Sequence, residues 1–153
     1  MKARIYVDAS VIGGCEDPEF AEHSLQLMEY FARGEFTFVL SALTVQELAA
    51  APEKVHSHLA SVREEHIETV PLDDESRELA EAYIDAGVIT SKMRADAQHI
   101  AIATVARVDV LVSWNFRHIV NLNRIRGFNS VNLRKGYPTL EIRAPREVLR
   151  DEE

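Results

Sequence analysis

Four short apolar runs recur along this chain, and the stretches between them follow a helical pattern. Ile5-Tyr6-Val7, Phe36-Thr37-Phe38-Val39-Leu40, Ile67 to Val70 and Asp109-Val110-Leu111-Val112-Ser113 read as strands. β-Branched and aromatic residues of this kind pack well on a pleated surface. Glu19 to Arg33 reads as a helix with Phe20, Leu25, Leu27, Met28 and Phe31 as its apolar positions and Gly34 as its stop. Ser41 to Ala51 is helical and broken at Pro52, and a second helix runs to about Glu64. Asp73 to Ala86 is amphipathic through Leu79, Tyr83 and Ile84, with Gly87 just past its end. Ala97 to Arg107 is rich in alanine and apolar on most sides, which suits a helix pressed onto a sheet. Beyond Ser113 the pattern weakens. Leu140-Glu141-Ile142 reads as a last strand, and Pro145 opens a short terminal helix.

Strands alternating with helices require right-handed crossovers and a mainly parallel sheet covered on both faces, an α/β architecture. The chain of 153 residues shows no internal repeat, low-complexity run or linker, so one domain over 1–153 is expected. Cys15 is the only cysteine. That excludes a disulfide framework and a cysteine-built metal site, and fits a reducing compartment. Met1-Lys2-Ala3-Arg4 precedes only three apolar residues, too few for a signal peptide. No stretch approaches the ~20 apolar residues of a membrane span, so no membrane association and a cytoplasmic location are expected.

The net charge of −8 argues against non-specific binding to polyanions. The charge is uneven, however. Residues 1–116 hold 9 Lys/Arg against 20 Asp/Glu, whereas 117–153 hold 8 against 5. Arg117, Arg124, Arg126, Arg134, Lys135, Arg143 and Arg146 face Glu141 alone within 117–146. This is either a local basic surface or a solvated C-terminal face.

In open α/β sheets the ligand crevice lies at the carboxyl ends of the strands. Asp8 ends the first strand in "IYVDAS". Glu47 follows the second in "SALTVQEL", and Asn115 follows the strand Asp109–Ser113 in "VSWNF". In a parallel sheet these share one rim. Asp96 opens the alanine-rich helix in "RADAQHIA" and joins them only if that helix starts near the rim. Each acid also has an ordinary structural role open to it. Asp96 suits an N-cap, Thr44-Val45-Gln46-Glu47 matches a capping box, and Asp8 suits a turn cap through Ala9-Ser10. Capping does not explain why a buried strand should end in an acid.

Carboxylates crowded together repel, which raises at least one pKa. A divalent cation removes the repulsion. Mg²⁺ and Mn²⁺ favour oxygen ligands, lower the pKa of bound water and clamp the oxygens of a phosphate undergoing displacement. The chemistry implied is phosphodiester hydrolysis without a nucleophilic side chain. No Gly-x-x-x-x-Gly-Lys phosphate loop exists, and Gly13-Gly14 alone read as turn material. Cys15 reads as core. His99 lies one turn after Asp96, within approach of the site, yet reads more simply as a packed or solvated side chain.

"IYVDAS", "SALTVQELAA" and "ADAQHIAIATVARVDVLVSWNF" together resemble the PIN-domain family, which includes the VapC-type ribonuclease toxins of toxin–antitoxin pairs. The resemblance spans roughly residues 4–120. It implies a three-layer α/β/α fold with a sheet of about five strands in the order 3-2-1-4-5. It also implies a metal-dependent endoribonuclease using Mg²⁺ or Mn²⁺, acting on RNA, with a cognate antitoxin and a homodimeric state. The Leu79/Tyr83/Ile84 stripe reads either as part of a dimer face or as ordinary core. The family's acids fall on Asp8, Glu47 and Asp96, expected as metal ligands and catalytic residues, with Asn115 as the fourth catalytic position. Ser10 and Ser113 are expected in support. Here the chain departs from the family: basic His118 stands where a later acid often falls, which leaves either one tight metal site with a second metal recruited by substrate, or a domain that binds RNA or protein with little catalysis. Trp114, Arg117, Arg124 and Arg126 are the expected substrate contacts, since single-stranded RNA is held by cations on its backbone and aromatics under its bases. Phe116 and Phe128 read as core.

Overall fold

The apolar runs pair into one parallel sheet. In the computed structural model, which describes residues 2–149, β1 (Arg4–Val7), β2 (Thr37–Ser41), β3 (Ile67–Val70), β4 (Val110–Val112) and β5 (Ile142–Arg143) line up in the order β3-β2-β1-β4-β5. Every adjacent pair is parallel, with Tyr6 opposite Val39 on one side and Leu111 on the other. The connections carry α1 (Ala9–Gly14), α2 (Ala21–Ala32), α3 (Ala42–Glu47), α4 (Glu53–Ala60), α5 (Asp74–Asp85), α6 (Arg94–Val105) and α7 (Leu122–Arg134), and α8 (Pro145–Val148) closes the described chain.

Side chains alternate across a strand, so each strand feeds two cores. Ile5, Val7, Phe38, Leu40 and Val112 point into a layer built by α1, α2 and α4, where they meet Ile12, Leu27 and Phe31. Phe31 and Phe38 meet edge to face at 4.6 Å, and burying each such ring contributes about 1.5–3 kcal/mol. Tyr6, Val39, Leu111 and Ile142 point the other way, against α5, α6 and α7. Leu79 and Tyr83 of α5 are buried in this second core, while Ile84, the third residue of the stripe, is partly buried against it. Ala97, Ala101 and Ala103 of α6 are fully buried in the same core.

Gly34 and Gly87 stop α2 and α5 as expected, each with φ near +75°, where other residues are strained. Helix α1 was not legible: Gly13 and Gly14 lie inside a helix, not a turn. A Cβ on Gly14 would come within 2.7 Å of Ser24 Oγ and 2.9 Å of Trp114 Nε1, so glycine permits this close approach. Helix α7 was not legible either. It is strongly polar, and its anchors are few: buried Phe128 and Val131, and Asn132, which accepts from the Tyr83 hydroxyl. Phe116, expected in the core, is 49% exposed, whereas Phe128 is core. The expected helix Ser41–Ala51 is shorter, ending at Glu47. The one expected to run on to about Glu64 ends at Ala60, before a 3-10 turn at Glu64–His66.

Candidate active site at the carboxyl rim

The alternation that sends Tyr6 toward α6 also governs the residues that follow each strand. Asp8 lies two positions beyond Tyr6, Ser41 two beyond Val39, and Ser113 two beyond Leu111. All three therefore emerge on the α6 side of the sheet at its carboxyl end. Helix α6 starts at Arg94, three residues earlier than its apolar pattern begins, and this brings its first turn to the rim. Asp96 is in that first turn rather than at the N-cap, which is Met93. Negative charge is still favoured there by the helix dipole.

Asp8 is 5% exposed, and both of its oxygens are occupied. Ser10 Oγ donates to Oδ1 at 2.6 Å and Ser113 Oγ to Oδ2 at 2.6 Å. Asp8 holds the N-cap position of α1 but makes no side-chain cap bond. Ser113 Oγ also accepts from the Asn115 backbone N–H at 2.9 Å, and Asn115 Nδ2 donates to Asp96 Oδ2 at 3.3 Å. Asp8, Ser113, Asn115 and Asp96 thus form one hydrogen-bonded arc across β1, β4 and α6. Asn115 Oδ1 accepts from the His118 backbone N–H, which fixes the amide's orientation.

A second arc reaches the site from below. Glu47 does not fold back to Thr44. The N-cap of α3 is Ser41, whose hydroxyl accepts from Thr44 N–H at 3.0 Å. Glu47 instead meets Nε2 of His99, a side chain 1% exposed. The other ring nitrogen meets the Tyr6 hydroxyl, which lies 2.8 Å from Ser41 Oγ. An ionised carboxylate only accepts, so against Glu47 the Nε2 nitrogen of His99 is the donor. Burial pushes the Tyr6 hydroxyl pKa well up, so it stays a donor. His99 and Tyr6 are the residues that sequence reasoning passed over. Both carried a signal: His99 is on the face of α6 that bears Asp96, and Tyr6 is on the face of β1 that bears Asp8.

The electrostatics separate these acids from ordinary surface carboxylates. Burial pushes the Asp8 pKa upward, and Glu47 adds to the rise, against the opposing effects of His99, Ser10 and Ser113. Asp96 is raised by burial and by the charges of Asp8 and Glu47, with His99 and His118 opposing. The three acids therefore feel one another. The donor set is entirely oxygen on the acid side, which suits a hard divalent cation and not a soft one. Among the described residues, however, no group of three or more His, Cys, Asp or Glu side chains stands ready to hold a metal ion. Glu47 is engaged by His99, and Asp8 by two hydroxyls.

The expected substrate contacts divide. Trp114 is half-buried: its backbone N–H donates to Ser10 Oγ at 3.0 Å, its Nε1 donates to Ser24 Oγ at 2.8 Å, and its ring stacks on Phe20 with centroids 4.5 Å apart. Arg117 and Arg126 are exposed. Arg124 is not free as the sequence suggested, since its guanidinium donates to the Val88 carbonyl. Cys15 is buried, as expected, and burial raises its thiol pKa to about 11.

No family model and no curated protein matches the sequence. Solved structures do share the fold. VapBC2 from Rickettsia felis, crystallised bound to a DNA fragment from its promoter, is 13% identical at a TM-score of 0.56, over 91% of this chain and 96% of that one. FitAcB from Neisseria gonorrhoeae is 16% identical at a TM-score of 0.59, over 94% and 99%. At these identities the likeness establishes the fold: an α/β, PIN-like arrangement with a parallel five-stranded sheet. No helix among the described residues is long and apolar enough to cross a membrane.

Proposed function

We propose that this chain is a divalent-metal-dependent endoribonuclease, the toxin of a toxin–antitoxin pair. The observation that carries the proposal is the pair Asp8 and Asp96. Both are withdrawn from water at the carboxyl rim and both are held above the usual carboxylate range by burial and by their acidic neighbours. His99 and His118 offset part of that rise, but burial outweighs them. The sequence resemblance to VapC-type toxins and the fold shared with VapBC2 point the same way.

Asp8 and Asp96 are the residues we assign to hold Mg²⁺ or Mn²⁺, with Glu47 as the third acid through the carboxylate oxygen that His99 does not engage. The ion supplies a water of lowered pKa and charge stabilisation for the phosphate. The chain's own groups do the rest. Ser10 and Ser113 fix the Asp8 carboxylate, Asn115 fixes Asp96, and His99 with Tyr6 fixes Glu47. Arg117 and Arg126 are the phosphate contacts, with Arg124 limited to the charge it lends from its bond to Val88. A cognate antitoxin and a homodimer belong to the same proposal, tested by co-purification and by light scattering.

Cleavage of a fluorescent single-stranded RNA in Mg²⁺ or Mn²⁺ tests the proposal. Loss of cleavage in both Asp8→Asn and Asp96→Asn is the expected result. Cleavage that survives both substitutions would sink it. A second reading is favoured by His118 at the acid position and by Glu47's engagement with His99: a PIN-like module that binds RNA or protein with weak catalysis. RNA binding without cleavage in either metal would select it.

A further inference from the structure

Beside the acids lies a cleft of about 440 Å³, lined in part by Ser10, Asn115 and Trp114. Ser10 and Asn115 stand at its inner end, and Gly13, Asp17, Phe20 and Trp114 line the remainder. We infer that it is a stacking subsite for one nucleobase next to the scissile phosphate, selective for bases that carry an exocyclic amine.

The lining argues for a base and against a phosphate. It contains no lysine, arginine or histidine. With Asp17 in the cleft and Asp8 and Asp96 adjoining, an anion is repelled. Phe20 and Trp114 stack on each other, nearly parallel at 22° with centroids 4.5 Å apart, so no base fits between them and a base would stack on the outer face of the pair. Base–aromatic stacking is worth about 1–3 kcal/mol per base. The pair is also rigid. Trp114 is pinned by its two hydrogen bonds to Ser24 and Ser10, and Gly14 leaves room for it to stay there. A rigid platform loses little entropy when it binds. Asp17 supplies the polar element. One of its oxygens accepts from the Glu19 backbone N–H at 2.9 Å, and its exposed carboxylate retains capacity for a second donor. Adenine, cytosine and guanine offer an amine there. Uracil has no exocyclic amine and offers only its ring N3–H, flanked by two carbonyls that the carboxylate repels. The position of Ser10 and Asn115, hydrogen-bonded to Asp8 and Asp96, makes the cleft continuous with the proposed cleavage site.

This subsite rests on the nuclease reading for its purpose but is tested apart from it. Trp114 is the only tryptophan, so intrinsic fluorescence reports on the cleft alone. Adenosine, cytidine and uridine serve as probes, because they have no phosphate and need no metal. Saturable quenching is expected with adenosine and cytidine, with uridine about fivefold weaker. Gly13→Leu is the blocking variant. A Cβ at Gly13 meets nothing within 4 Å, so the side chain has space to enter the cleft. It should weaken adenosine binding about tenfold while its circular dichroism stays that of the parent. Asp17→Asn should erase the preference for amine-bearing bases. Absence of saturable quenching, or quenching untouched by a folded Gly13→Leu, overturns the subsite. If Gly13→Leu does not fold, Asp17→Asn decides alone, and an unaltered preference overturns it. Saturable, selective binding in a protein that cleaves no RNA keeps the subsite and removes the nuclease. Cleavage with no base binding does the reverse.

Discussion

Arg4 and Asp8 sit at opposite ends of the same strand, and their surroundings differ in kind. Arg4 is met by acceptors on every side. Its guanidinium bonds Glu68 and the carbonyls of Ala106 and Arg107 at 3.0 and 2.9 Å, while its backbone N–H donates to Asp109 at 2.7 Å. The Arg4 hydrogen bond holds the Glu68 pKa below the usual carboxylate range. Each charge at that end favours its neighbour. Asp8 is met by two hydroxyls and by other acids, and burial drives its pKa the opposite way. A chain optimised only for stability would treat both ends as it treats the first. The cost retained at the carboxyl end marks where an external charge is expected, and that asymmetry distinguishes a site from a scaffold.

The contrast can be broken in several ways. The largest effect concerns activity. Asp96→Asn should lower RNA cleavage at least about 100-fold, as loss of a preorganised charge does, while Glu68→Gln leaves the rate within twofold (about 0.4 kcal/mol). Similar losses in both variants would erase the distinction. Next comes metal-linked stability. Mn²⁺ at 100 times its dissociation constant should stabilise the fold by about 2.7 kcal/mol, read as a rise in Tm over EDTA, and the double variant Asp8→Asn/Asp96→Asn should lose the rise. An unchanged Tm at millimolar Mn²⁺ counts against a cation site.

Tyr6→Phe tests the second arc. It strips the partner from a buried His99 nitrogen and should cost about 1–3 kcal/mol in urea unfolding. A cost near zero would show that the Tyr6–His99–Glu47 arc is not under constraint. The smallest effects are those of pH. Asp8 has a raised pKa in the fold, so its ionisation destabilises the metal-free protein as pH rises above the unfolded value of about 4. Asp8→Asn should therefore shift Tm more favourably at pH 7 than at pH 4. Glu68 is lowered and has the opposite sign: its contribution is present above its unfolded pKa and fades as pH falls. That contribution is below about 1 kcal/mol, since the Arg4–Glu68 pair is partly exposed.

Most of this organisation was legible along the chain because periodicity carries it. The strands, the glycine stops and the position of Asp8 beyond its strand follow from alternation and from parallel topology, whereas Asp96 reaches the rim only because α6 starts at Arg94. The arcs that hold those acids did not. His99 looked like a core residue, and it is one. Its second identity depends on Tyr6, far away in sequence, which only packing brings to it. Glu47 matched a capping box, but Ser41 at the strand end took the cap and freed Glu47 for His99. Helix α7 escaped because its anchors are spaced among asparagines and arginines, where no apolar stripe is continuous. Phe116 was placed inside because it is large, yet it lies exposed beside Trp114, at a centroid distance of 6.2 Å.

The buried alanines of α6 bear on more than packing. Ala103 lies one turn after His99, on the side of α6 that meets Tyr6 of β1, so its methyl bears on how far the helix carrying Asp96 stands off the strand that leads into Asp8. The gap between the two carboxylates is thus gauged by side chains that touch neither. A single added methyl at Ala103 would act as a shim, spreading the acids without altering any of them, so mutational drift in this protein's activity should trace to silent-looking positions deep in the core.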